Sequence, residues 1–404
     1  MIDKLVLHIP FKSCYLKFFE NEKAEGCFLP LEILPENIKF VAGSVTIGKY
    51  GLKEVEELRT KFESLPSSFS GMAFKIYEYG RNCDPFVMLK CSPAKLTQGH
   101  NLFGFDDIEF SGVNMLALMA SVYPELFAML DVPNTEVSEI DLAYSAFIND
   151  QEAKKMLLDY LRHTSKGQTK NHGDNYETSI YFGSKTSRLK KLKVYSKYEE
   201  MKNDVKNMKK KGFKESATIV ESLLLSDRAK SSLRFEATLK KRFLERRKIP
   251  TNFIALCSYF KANRWAYTEL FKDAWQDVFD ALSGQEIKIM NEDNVYNALY
   301  SSYSKISVKT GRVSTVKVDR LFSLYQLMKI QGFEAIKNRE MNRSRPTWYR
   351  NLKDLTGCGI ALATLQNLKN DSNVVKMPIY KLIEIDFSNQ VPKDYKMPGD
   401  LFVA

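Results

Sequence analysis

A chain of 404 residues with 44% hydrophobic content can bury sizeable cores unaided, and its formal charge of +11 suits an anionic partner such as nucleic acid. Six scattered cysteines without a CxxC pair argue against a zinc ribbon and against a secreted disulfide framework. The opening MIDKLVLHIPF is too short an apolar run for a signal peptide, and no window reaches the roughly 18 apolar residues of a membrane span, so a soluble, intracellular protein is expected.

Taken in chain order, period-2 alternation predicts strands over 3–11, 72–80, 86–93, 136–147, 177–184, 189–197 and 232–241. Helical spacing appears between them, over 113–130 and over 150–164, where Asp150 is a good N-cap. Strands interleaved with a few helices predict an α+β domain, an antiparallel sheet covered on one face by helices. The charged turn ERRKIPTN (245–252) contains Pro250 and marks the boundary: an α+β domain over 1–245, then a mostly helical domain over 246–404 with helices near 253–282 and 318–341. Residues 342–369 read as helix, glycine-containing turn and helix, either a helix-turn-helix or a plain helical hairpin.

Between Arg188 and Lys214, eleven Lys/Arg face three acids, so much of the net charge is local. Such a run is either a solvated helix face or a phosphate-neutralising surface. Within KKLKVYSKYEEM, period 2 puts Lys191, Lys193, Tyr195 and Lys197 on one strand face and Leu192 and Val194 on the other. A phenol flanked by ammonium groups is drawn toward phenolate and could act as an oxygen nucleophile at phosphorus. Tyr198 falls off that face, and packing is its expected role.

Two other strands offer carboxylates on polar faces, Asp141 in VSEIDLAYS and Glu236 in LRFEATLKK. They either converge with Tyr195 around a divalent ion or are the wet sides of ordinary amphipathic strands. His100, in the turn after CSPAKLTQ, is either a solvated imidazole or a ligand. The candidate DNA contacts are Arg188, Lys191, Lys193 and Arg234.

Several segments together resemble the replication-initiator endonucleases of filamentous bacteriophages, the gene II products or replication-associated proteins. They are MIDKLVLHIPF, FESLPSSFSGMAFKIYE, CSPAKLTQGHNLFG, VSEIDLAYSA, LRHTSKGQTK, LKVYSKYEEM and LRFEATLKKRFL, joined in the last third by SRPTWYRNL, GCGI and IEIDFSNQVP. The resemblance implies a rolling-circle initiator that nicks the viral strand at the origin, leaves a 3′-OH for the host polymerase, and later rejoins the displaced strand into a circle. It makes Tyr195 the nucleophile, giving a 5′-phosphotyrosine, with Lys197 and Lys193 on the non-bridging oxygens. It makes Asp141 and Glu236 carboxylate ligands of Mg²⁺ (or Mn²⁺), with His100 in a matching GHN. Origin duplex, displaced single strand, host helicase and polymerase are the implied partners, with a dimer on DNA, no membrane, and the host bacterial cytoplasm as location. Met290 opens a stretch similar to the family's internally started C-terminal product.

One departure from rolling-circle initiators generally is that no pair of histidines flanks a single hydrophobic residue here, so any metal must rely on carboxylates. No Walker-type GxxxxGK[ST] occurs, as expected where the energy of the broken P–O bond is kept in the tyrosyl ester. Two rivals remain at this stage. One is a non-catalytic origin-binding or repressor protein; the other is a tyrosine recombinase, which would leave a 3′-phosphotyrosine.

Overall fold

The computed structural model describes residues 1–21, 24–47, 53–66, 70–78, 84–164, 178–184, 186–282, 292–306, 312–368 and 385–399. Met290, His172 and residues 165–170 of LRHTSKGQTK lie outside them.

Eight strands form one antiparallel sheet: β1 (Ile2–Pro10), β2 (Glu63–Pro66), β3 (Gly71–Tyr77), β4 (Phe86–Cys91), β5 (Glu136–Phe147), β6 (Ser179–Phe182), β7 (Lys190–Ser196) and β8 (Ser232–Lys240). Their order across the sheet is β6-β7-β8-β5-β1-β4-β3-β2. All seven segments read as strands from their alternation are strands, with small differences only at their ends. Alternation marks them because one face is apolar: Leu5 pairs with Ile140, Phe235 with Tyr144 and Val194, and Ile180 with Val194, all on the same side. Two hairpins outside this sheet, Lys17–Asn21 with Ala24–Phe28 and Phe40–Ile47 with Lys53–Thr60, were not anticipated.

Helices cover the apolar face, and one helical pair lies over an end of the polar face. The first, α1 (Ile108–Val122), stops at Tyr123 because Pro124 opens a separate short helix, so the single helix expected over 113–130 is two. In α2 (Gln151–His163), Asp150 caps as its sequence position predicts, accepting from the Glu152 and Ala153 backbone N–H groups at 2.9 and 3.2 Å. Next, α3 (Lys197–Lys211) leaves β7 directly and ends on Gly212, whose φ of +85° closes the helix in the left-handed region. It pairs with α4 (Lys214–Leu224) around Met201, Val205, Met208 and Val220.

The span expected as one helix over 253–282 is α5 (Phe253–Ala262) and α6 (Ala266–Leu282), and both pack into the sheet's own core. Trp275 of α6 is fully buried with its ring 5.3 Å from Phe235 and 5.9 Å from Phe182. A second core begins at Val295 and runs through α7 (Val316–Gln331) and α8 (Phe333–Gly357). The axis of α8 breaks at Ser344, two residues before Pro346, whose missing N–H and ring disfavour a continuous helix. After Gly359 (φ +102°) comes the six-residue helix Leu362–Asn367, with Ala363 and Leu365 buried. Residues 342–368 therefore form a helix, a glycine-containing turn and a second helix, with Ala363 and Leu365 facing inward. Among the described residues, no helix is long and apolar enough to cross a membrane.

Candidate functional site

The other face of the sheet is polar, and its centre is the site. Register brings together residues far apart in sequence: Lys193 lies opposite Glu236, Tyr195 opposite Arg234, and Thr238 stands between Lys191 and Asp141, which in turn faces Lys4. Asp141, Glu236 and Tyr195 thus share one face, as strand parity suggested, and all three line one cleft of about 480 Å³. Because Lys193 and Glu236 are direct cross-strand partners, Tyr195 is diagonal to Glu236 and within reach of it. The Tyr195 hydroxyl donates to Glu236 Oε1 at 2.5 Å. Lys193 Nζ lies 3.8 Å from the Tyr195 ring centroid and 3.8 Å from Glu236 Oε2, so one cation touches both groups.

Electrostatics at Tyr195 run opposite to the sequence reading. Its side chain is only 3% exposed, and burial, followed by the carboxylates of Glu200 and Glu236, raises the phenol well above its ordinary pKa; Arg234 opposes this without prevailing. Tyr195 is a protonated phenol at neutral pH. The expectation of a cation-stabilised phenolate fails because burial and the carboxylates of Glu200 and Glu236 together favour the protonated form. The proton instead has a defined acceptor. Burial, then Asp3, holds the Glu236 carboxyl up at about 7 against Lys193 and the tyrosine's hydrogen bond.

A carboxyl raised in the folded state binds its proton more tightly there than when unfolded. Its stabilising contribution is full in acid and is lost as pH rises from the ordinary value of 4.5 through about 7. Glu236→Gln, which has no proton to lose, is therefore expected to gain on the wild type by on the order of 2 kcal/mol between pH 5 and pH 8 in urea denaturation. A stability gap that stays constant with pH would show that Glu236 is not held up.

Lys197 and Arg234 occupy other places than expected. Strand parity would carry Lys197 onto the open face, but the chain turns into α3 at that residue and its side chain is 0% exposed. Its Nζ donates to Asn101 Oδ1 at 2.7 Å and Glu200 Oε2 at 2.5 Å. Arg234 is 2% exposed and donates to the Asn101 carbonyl at 2.7 Å and to the Leu102 carbonyl, with Asp3 Oδ1 3.7 Å away. Both cations, proposed for phosphate and DNA, are enclosed in a buried polar network beneath Tyr195. Lys193 remains half-buried in the cleft, and Lys191 and Arg188 are exposed.

The network's other members are Asp3, Lys95, Asn101 and Glu200, none of them selected from the sequence. Asn101 joins its parts, donating to Asp3 Oδ1 at 2.7 Å while accepting from Lys197. In the GHN turn it is thus the asparagine that connects to the site. His100 packs its ring edge-on to Phe103 at 4.7 Å, is held near pKa 4 by burial and by Lys197 and Arg234, and is not among the residues lining the cleft. One signal for Asp3 was present: strict alternation places it on the apolar side with Leu5, Leu7 and Ile9. A β-bulge between Ile2 and Lys4 relieves that conflict, and both Asp3 and Lys4 line the cleft.

Among the described residues no group of three or more His, Cys, Asp or Glu is arranged to hold a metal ion. Both oxygens of Glu236 are engaged, by Tyr195 and Lys193, and His100 stands among cations. Asp141 differs. Its Oδ2 pairs with Lys4 at 3.1 Å and Thr238 hydrogen-bonds to the carboxylate, while Oδ1 is buried and makes no close hydrogen bond among the described residues, and the residue lines the cleft. An oxygen of this kind fits Mg²⁺, which takes one or two carboxylates and keeps several waters.

Tyr198 packs half-buried against the α3–α4 cluster, with Lys202 Nζ 4.3 Å from its ring centroid. Tyr198→Phe should leave any first-strand covalent adduct within about twofold of wild type on denaturing gels, because Tyr198 is not among the described residues that line the cleft.

A family model for the N-terminal part of the phage replication-associated protein matches residues 1–262, and one for the C-terminal part of the same protein matches residues 308–401. The chain is 34% identical over 420 residues to the replication-associated protein of Salmonella phage IKe, covering 100% of this chain and 97% of that one. It is 31% identical over 412 residues to the protein of the same name from Enterobacteria phage M13, covering 98% and 99%. No solved structure matches. On full-length similarity and on both family matches, the chain belongs to the replication-associated protein family of these bacteriophages.

Proposed function

We propose that this phage replication protein is a rolling-circle initiator that nicks and rejoins one strand of origin DNA through Tyr195. The Tyr195 oxygen attacks the scissile phosphorus as its proton passes to Glu236; an Oη–P bond forms, the P–O3′ bond breaks, and the 3′-oxygen leaves as a hydroxyl on taking a proton from water, while Glu236 releases the tyrosine proton to solvent. Lys193, touching both ring and carboxylate, neutralises the phosphate oxygens. Asp141 would hold Mg²⁺ or Mn²⁺ through its Oδ1 oxygen, and a bound divalent ion there supplies electrophilic stabilisation of the phosphate charge. Lys197, Arg234 and Asn101 fix the end of β7, and with it the phenol, without contacting DNA. Rejoining is the reverse exchange, with a 3′-OH as nucleophile, Tyr195 as leaving group and Glu236 returning a proton.

The observation carrying this reading is the Tyr195–Glu236 hydrogen bond inside a cleft lined by Lys4 and Lys193. Origin duplex and displaced single strand are then its partners, host helicase and polymerase act on its product in the host cytoplasm, and the helical part over 246–404 serves DNA binding or regulation, with a dimer on DNA supplying the second cleavage. The burial of Tyr195 favours the rival, a non-catalytic origin-binding protein. Incubating the protein with supercoiled origin DNA and Mg²⁺, denaturing in SDS and sequencing the modified peptide decides between them. A 5′-linked adduct on Tyr195 is expected; no adduct, or one on the 3′ end, sinks the nicking reading.

A further inference from the structure

The cleft continues beyond Tyr195 along the polar sheet face and ends at Phe62, the residue preceding β2. Phe62 is 53% exposed, a large apolar ring at the mouth of a polar, cationic cleft. Lone exposed aromatics are ordinary, but this one has a specific setting. Lys75 Nζ sits 5.5 Å from its ring centroid and 4.9 Å from that of Tyr77, and Lys90 lines the same end of the cleft. Among the described residues neither Lys75 nor Lys90 has a carboxylate partner, whereas Lys4, Lys95 and Lys193 do. Tyr77 in turn stacks on Phe86 at 4.8 Å and 15°, which fixes the inner side of the platform.

An exposed ring with one such ammonium group beside it and a second lining the same cleft is the chemistry of a nucleotide subsite, with a flat face for a base and cations for the neighbouring phosphates. We propose that Phe62 is the stacking platform for a nucleobase further along the strand from the scissile phosphate, at the far end of the cleft, and that Lys75 and Lys90 hold phosphates beside that base. The occupant is single-stranded DNA. In a duplex both faces of each base are already stacked, so only an unpaired base can lay a face on Phe62. This inference rests on the nicking reading above: it names the strand state recognised at that same site.

The test uses the full chain and single-stranded origin oligonucleotides carrying 2-aminopurine at successive positions on either side of the scissile phosphate, in wild type, Phe62→Ala and Phe62→Trp. Wild type should quench the probe on binding, Phe62→Ala should abolish the quenching and weaken Kd by about 10-fold, and Phe62→Trp should restore both. Lys75→Gln and Lys90→Gln should each lower the salt slope of log K by about 0.7. An unchanged thermal melt of Phe62→Ala, expected for an exposed side chain, separates loss of stacking from loss of fold. Quenching and Kd within twofold of wild type in Phe62→Ala overturn the proposal even if the Tyr195 adduct forms normally. Quenching that depends on Phe62 without any adduct supports it and sinks the nicking reading alone.

Discussion

Tyr195→Phe should eliminate the covalent protein–DNA adduct, with strand cleavage falling by about 10⁴-fold or more, the scale seen when a nucleophile is removed. The ring, its contact with Lys193 and the β7 register survive the change, so origin affinity should stay within a few fold. Stability should drop by about 1–2 kcal/mol, because Glu236 Oε1 loses its buried donor. That loss should also raise the Glu236 carboxyl further, since the tyrosine's hydrogen bond is one of the influences holding it down. Gel-resolved adduct formation on supercoiled origin DNA, alongside urea denaturation, measures both effects. Adduct formation by Tyr195→Phe at the wild-type rate would remove Tyr195 from the chemistry altogether.

Arg234→Met should produce the largest loss of stability of any single change on the polar face, on the order of 3–5 kcal/mol. Its guanidinium satisfies the Asn101 and Leu102 carbonyls and faces Asp3. Asp3 is pushed up by burial, yet Lys197, Arg234 and Lys95 together bring its carboxyl below the ordinary value. Its stabilising contribution is therefore present above that value and lost as pH falls. Without Arg234, two carbonyls lose their donors and the buried carboxylate loses a cation, so the deficit should be seen at pH 7 and narrow toward pH 3. Cleavage should fail with the fold. A variant that denatures within 0.5 kcal/mol of wild type and loses only DNA affinity would return Arg234 to the role of a phosphate contact.

The contrast between Lys193 and Lys197 explains which site assignments strand parity could reach. Parity is a rule about one strand, and it holds through Tyr195, where β7 is still paired on both sides. It placed Lys193 and Tyr195 on the face shared with Glu236 and Asp141, whose own strands follow the same rule. Two residues later, the chain becomes helical and Lys197 turns inward to Asn101 and Glu200. Arg234 obeys parity but is covered by the turn after the short helix Pro93–Gln98, whose Asn101 and Leu102 carbonyls it binds. An amphipathic pattern identifies a polar face; it does not say which part of that face remains open. Similarly, the apolar spacing of 253–282 showed helix but not its destination, the sheet's own core against Phe235 and Phe182.

The sequence by itself determined the seven strand segments, their inward and outward faces and the helical C-terminal region, because each follows from short-range periodicity, whereas the meeting of a candidate nucleophile with two carboxylates was left open by that pattern and implied only by the family resemblance. Tertiary structure alone decided the protonation of Tyr195, the enclosure of Lys197 and Arg234, and the arrival of Asp3, Asn101 and Glu200. Those outcomes depend on desolvation and on long-range hydrogen bonds such as that from Arg234 to Asn101, 133 positions apart. The bulge at Asp3 shows the limit in one place: alternation assigns that carboxylate to the apolar side, and only pairing with β5 turns it into the cleft.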